Sequence, residues 1–202
     1  LPVRLVPTFL GAHEIPLEYR ETAERRREYV DLVVNEMIPA VASEQLAVFA
    51  DVFCETGVYT ADESREILIA ARRAGLLLKL HADELSSSGG AELAAELDAT
   101  SADHLGAISE AGIAALASSG TVATLLPATM LFLGKSAQAP ARRMLDAALP
   151  IALATDFNPG TSPTVGLPLV LTLAVSQLRM SAAEAITAAT VNGAAALGLA
   201  DR

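Results

Sequence analysis

At 202 residues with a formal net charge of −10, the chain can bury a large core but is too acidic to suit a phosphate backbone. Aromatic residues make up only 4%, which leaves few platforms for stacking bases. The most apolar stretch, 165–175, is broken by Gly166 and Pro168 and falls well short of the roughly 20 residues a membrane helix needs.

Cys54 is the single cysteine, so no intramolecular disulfide forms and a reducing cytoplasm is the expected setting. Residues 1–10 lack the basic start and cleavage site of a signal peptide; the chain opens directly in apolar sequence, as though joined in mid-domain. The first unit, Val3 to His13, is apolar and β-prone until Gly11-Ala12-His13 breaks it. Val30, Val33, Val34, Met37, Ile38 and Val41 then recur at helical spacing, and Arg25-Arg26-Arg27 at the start of that helix reads as a solvated face.

A second strand is expected over Leu46 to Cys54. Thr60-Ala61-Asp62-Glu63 matches a capping box, and Gly75 ends the helix it opens. Strand three is Leu76 to His81, followed by a Ser/Gly loop and a short alanine-rich helix ending at Leu97. Strand four is Ala99 to His104 and strand five is Thr121 to Leu126, closed by Pro127, with a helix from about Ser109 to Ala117 between them. A helix over Ala139 to Leu149 leads to strand six, Pro150 to Thr155, which runs into the turn Asp156-Phe157-Asn158-Pro159-Gly160. Helices fill the remainder, with a second capping box at Ser181 to Glu184.

Strand and helix thus alternate six times, and most strand starts lie 22 to 30 residues apart. That alternation predicts an α/β fold with a parallel sheet, either an open doubly wound sheet or a (β/α)8 barrel. No Gly-x-Gly-x-x-Gly or phosphate-loop lysine motif follows a strand, which removes support from the nucleotide-binding version. Polar candidates stand at the ends of at least four strands, as in barrel active sites, so the barrel is preferred.

All three histidines fall at strand exits. His81, in Lys79-Leu80-His81-Ala82-Asp83-Glu84, offers an imidazole for Zn or Fe, and Glu84 offers a base. Residues three apart in a straight strand face opposite ways, so the two cooperate only if the chain curls after His81. Asp156 directly follows an apolar run and can ligate a metal at the barrel mouth, although an Asx turn is an equal reading of that position. Asn158 and the Gly160 N–H are left available for a ligand. His104 is a candidate to polarise a carbonyl, and His13 a candidate substrate contact. Cys54, between apolar neighbours, reads as core rather than nucleophile.

Five blocks in this order carry a family resemblance: Thr-Phe-Leu-Gly-Ala-His (8–13), Phe-Cys-Glu-Thr-Gly (53–57), Lys-Leu-His-Ala-Asp-Glu (79–84), Ser-Ala-Asp-His-Leu (101–105) and Ala-Thr-Asp-Phe-Asn-Pro-Gly (154–160). Together with 190–195 they resemble imidazolonepropionase, of the amidohydrolase superfamily, along essentially the whole chain. The resemblance implies hydrolysis of 4-imidazolone-5-propanoate to N-formimino-L-glutamate in histidine degradation, with one divalent metal, Zn or Fe. It further implies His81 and Asp156 as metal ligands, Glu84 as the base on the attacking water, and His104 as stabiliser of hydroxide or oxyanion. His13, Glu84, Asn158, Gly160 and Thr161 would touch substrate or product. The implied partner is a small-molecule substrate, with a homodimer left open as the assembly.

One departure stands beside the match. The family's first barrel strand carries a His-x-His pair, and no His-x-His occurs here. Residues 1–202 are therefore expected to form one partial barrel domain, strands three to eight with their helices. Alone, this chain is expected to bind metal weakly and to turn over little, because a catalytic zinc takes three protein ligands and two are offered.

Overall fold

The computed structural model describes residues 3–200; Leu1, Pro2, Asp201 and Arg202, the two ends of the 1–202 domain reading, lie outside the described residues. Six strands form one sheet: β1 (Thr8–Ala12), β2 (Phe49–Cys54), β3 (Leu77–Ala82), β4 (Ser101–His104), β5 (Val122–Leu125) and β6 (Ile151–Leu153). They pair in sequential order, each parallel to the next. A doubly wound sheet reverses its strand order at a switch point; this sheet never reverses, which is the winding of a (β/α)8 barrel. Among the described residues β1 and β6 each have one strand neighbour, so the barrel is incomplete.

Most of the inner strands read as largely apolar runs because both faces are covered, while β1 is partly exposed. β5 and β6 are buried at every position, and β2 at every position but Phe53. Register aligns the carboxyl ends, with Cys54 beside Ala82 and Ala82 beside His104. The residues that follow each strand therefore open onto one common rim.

Helices α1 (Ala23–Leu32) and α2 (Ile38–Ser43) are joined by a π-helical stretch, Val33–Met37. Pro39 just beyond it has no N–H to donate into an α-helical ladder, and the wider π turn absorbs that gap. The expected stripe faces inward there, with Val30, Val33 and Ile38 buried. Helix α3 (Ala61–Arg73) has its capping box, Thr60 with Glu63, and buries Ser64, Ile67, Leu68 and Ala71 against the sheet. Gly75 follows at φ +91, a left-handed position that a side chain would strain. Helices α4 (Gly90–Glu96) and α5 (Glu110–Ala117) come next; α8 (Leu167–Ser176), α9 (Ala182–Ala189) and α10 (Val191–Ala196) end the described chain. The second capping box, Ser181 with Glu184, opens α9.

Three expectations change. Pro127 does not merely close a strand; it is the first residue of a further helix, α6 (Pro127–Phe132), where its missing N–H costs nothing. The helix expected over Ala139 to Leu149 shortens to α7 (Ala141–Asp146). The arginine run is also not simply solvated. Arg26 makes two bonds to Glu63, at 2.6 and 2.7 Å, and Arg27 reaches Glu66 at 2.6 Å, so both tie α1 to α3; only Arg25 stays on its own helix, with Glu28.

Candidate active site

The curl after β3 is made by Asp83, at φ +48. Its fully buried carboxylate accepts from Ser88 N (2.7 Å), Ser88 Oγ (3.0 Å), Gly90 N (3.2 Å) and Ala91 N (3.0 Å), folding the Ser/Gly loop back onto the strand end. Gly90 has to be glycine here, since a Cβ would meet the Ala82 backbone at 2.9 Å. From the end of β2, the buried Glu55 accepts the Leu85 N–H at 2.9 Å and the Ser86 N–H at 3.2 Å. Glu84 sits between two clamped neighbours and is carried back toward the rim.

His81 is tied on one side. Asp51 Oδ1, from the middle of β2, lies 3.0 Å from His81 Nδ1 and also accepts the His81 backbone N–H at 3.1 Å. Burial lowers the imidazole pKa, but the Asp51 charge and hydrogen bond outweigh it, and the result is raised to about 9. His104 ends β4 at φ +77, with Leu105 at φ +59, a pair of left-handed non-glycine residues of the kind that cluster at functional sites. Burial first, then the neighbouring His81 and His13, hold its pKa well below the usual imidazole range, so this ring is neutral. Its Nδ1 lies 3.7 Å from Glu84 Oε1, and its buried Nε2 has no hydrogen-bond partner. Burial also raises the Glu84 carboxyl to about 6, against the pull of His81.

Asp156, at φ +52, takes a 2.6 Å bond from Thr129 Oγ1 of α6 on its Oδ2. Of the two sequence readings, the Asx turn belongs to its neighbour instead: Asn158 Oδ1 accepts Gly160 N (2.9 Å) and Thr161 N (2.7 Å). Asn158 Nδ2 donates to the Asp156 carbonyl and Thr161 Oγ1. Contrary to expectation, Asn158 and the Gly160 N–H are therefore engaged within their own loop, and a ligand would have to exchange with these bonds. His13 stacks on Phe53, ring centroids 5.3 Å apart and planes 19° apart, and lies 5.5 Å from His81, which in turn lies 5.1 Å from His104.

His13, His81, Glu84, His104, Asp156, Asn158, Gly160 and Thr161 all line one cavity of about 650 Å³ at the carboxyl rim. His81 and Asp156 share this cavity, yet among the described residues no group of three His, Cys, Asp or Glu side chains is placed to hold a metal ion. Deeper between the strands, Lys79 Nζ donates to Ser101 Oγ (2.8 Å) and to the last carbonyl of α10, Ala196 O (2.7 Å), locking the end of the chain onto β3 and β4. Cys54 is fully buried, with burial pushing its thiol pKa up, as a core residue should be.

Three residues of the site were not singled out from sequence. Asp51 carried a readable signal, a lone carboxylate inside the apolar run 47–54. Phe53 looked like any strand aromatic. Thr129 carried no signal, because α6 itself was unexpected.

The chain is 53% identical over 197 residues to the imidazolonepropionase of Geobacillus kaustophilus and 51% identical over 200 residues to that of Solibacter usitatus. In sequence the chain is similar to imidazolonepropionases along nearly its whole length. The matches cover 98% and 99% of this chain but 46% and 47% of those proteins, so it spans about half the length of the curated relatives it matches. No protein-family model matches. In fold, a zinc-bound adenosine deaminase from Xanthomonas campestris superposes with a TM-score of 0.68 at 18% identity, covering 98% of this chain and 48% of that one. The six strands thus follow about half of that protein's fold. No helix among the described residues is long and apolar enough to cross a membrane.

Proposed function

We propose that the chain carries part of the active site of a metal-dependent hydrolase that opens the ring of 4-imidazolone-5-propanoate, giving N-formimino-L-glutamate. The observation that carries this reading is the meeting of His81, Glu84, His104 and Asp156 on one cavity, where burial raises the Glu84 carboxyl pKa and lowers that of the His104 imidazole. The whole chain is read as one partial barrel domain working in the cytoplasm.

The residues fit a Zn or Fe ion by type and in part by number. His81, tied at Nδ1, keeps Nε2 for a ligand role, and Asp156, tied at Oδ2, keeps Oδ1. A catalytic zinc takes three protein ligands, so the rest of the set would come from outside residues 3–200. When bound, the ion would polarise the substrate carbonyl and lower the pKa of water.

The chain's own residues do the remaining work. Glu84 takes a proton from the attacking water as oxygen bonds to the ring carbonyl carbon. The carbon–nitrogen bond of the ring amide then breaks, and Glu84 delivers that proton to the departing ring nitrogen. A carboxyl with its pKa near 6 is matched to both halves of that transfer. His104, neutral and with an unpartnered Nε2, would stabilise the developing oxyanion. His13, braced by Phe53, offers a flat face beside the substrate, and Thr161 lines the same cavity.

The test is to incubate the full-length protein carrying this sequence, supplied with Zn or Fe, with 4-imidazolone-5-propanoate. Loss of the ultraviolet absorption of the ring and appearance of N-formimino-L-glutamate by mass spectrometry are expected. Turnover of adenosine with no loss of the imidazolone would replace this reading with a deaminase.

A further inference from the structure

We propose that Asp51 is a positioning residue for the metal, holding the His81 ring so that only Nε2 is presented to the cavity. The inference rests on the metal reading above and adds a residue from the middle of a strand, away from the rim.

The geometry is specific. One oxygen, Asp51 Oδ1, takes both the His81 backbone N–H (3.1 Å) and the ring Nδ1 (3.0 Å), so main chain and ring are fixed to a single point. Strand register pairs Asp51 with Lys79 and Phe53 with His81, which puts Asp51 one step below His81, away from the rim. Nδ1 therefore faces into the barrel, and Nε2, on the other side of the ring, faces the rim. Three further rings close around the imidazole: Phe53 at 5.7 Å, His13 at 5.5 Å and His104 at 5.1 Å, leaving little room for a flip. Asp51 itself is 5% exposed, and a carboxylate kept that far from water needs strong donors. The two His81 N–H groups are those donors. A carboxylate on Nδ1–H fixes the tautomer and makes the opposite nitrogen a better ligand.

The test uses the full-length protein. Zinc affinity is measured by competition with a chromogenic chelator for wild type and Asp51→Asn, alongside thermal unfolding of both. Loss of such a partner typically weakens metal binding by about 10- to 100-fold, and that is the expected result, with the unfolding midpoint little changed. Equal affinity in the two proteins would overturn the role of Asp51 while leaving the metal reading intact. A wild type that takes up no metal would overturn the metal reading and this proposal with it. Should Asp51→Asn fail to fold, histidine-15N-labelled wild type loaded with 113Cd decides. Scalar coupling of cadmium to His81 Nε2, with a proton retained on Nδ1, supports the proposal; coupling to Nδ1 overturns it.

Discussion

Replacing Asp83 gives the sharpest test of how Glu84 is placed. The side chain of Asp83 is fully buried and accepts four hydrogen bonds, two of them from the buried Gly90 and Ala91 N–H groups. Asp83→Ala strands those two donors, at about 2 kcal/mol each, for a loss of about 4 kcal/mol. Alanine at φ +48 adds about 1 kcal/mol of backbone strain. Asp83→Asn tolerates that φ and keeps the three bonds to Oδ1, but turns an NH2 toward the Ala91 N–H, for a loss of about 2 kcal/mol. Urea unfolding with a common m-value measures both variants, and hydrogen exchange at the Gly90 and Ala91 amides locates the damage. If Asp83→Ala unfolds within about 0.5 kcal/mol of wild type with both amides still protected, the carboxylate is not what folds this loop.

Other predictions follow the same contacts. Because Glu84 acts ionised and its carboxyl is raised to about 6, kcat/KM should rise with pH through about 6; a profile flat from pH 5 to 7 would contradict that. Gly106→Ala would set a Cβ 2.6 Å from the Glu84 carbonyl oxygen, and the forced shift should cost about 1–3 kcal/mol of stability and lower turnover; full activity would show that the Glu84 backbone has slack. Thr129→Val removes the 2.6 Å bond to Asp156 and should weaken metal binding by about 10-fold, read by chelator competition. Lys79→Met removes the bonds to Ser101 and the Ala196 carbonyl and frees the end of α10, a loss of about 1–3 kcal/mol in urea unfolding.

The barrel was readable because most of its strands are buried on both faces, so apolar runs such as Ile151 to Leu153 need no alternation to be seen. The runs end at His13, Cys54, His81, His104 and Asp156 because register aligns those ends on one rim. What sequence did not reveal depends on partners distant in the chain. Arg26 and Arg27 look like a solvated run until Glu63 and Glu66, almost 40 residues on, come opposite them. Pro127 looks like a terminator because a proline at the first turn of a helix and one that ends a strand read alike. Asp156 read equally as a metal ligand or an Asx turn and Asn158 looked free; only the fold divides them, one bonded to Thr129 and open to the cavity, the other engaged in its own turn.

The central claim is that Glu84 moves the proton in a ring-opening hydrolysis at this rim. Its most direct test compares 4-imidazolone-5-propanoate turnover by the full-length protein and its Glu84→Gln variant, each checked for equal metal content. A loss of about 10²- to 10⁴-fold in kcat with metal retained is the predicted result. Turnover by Glu84→Gln at the wild-type rate would contradict it.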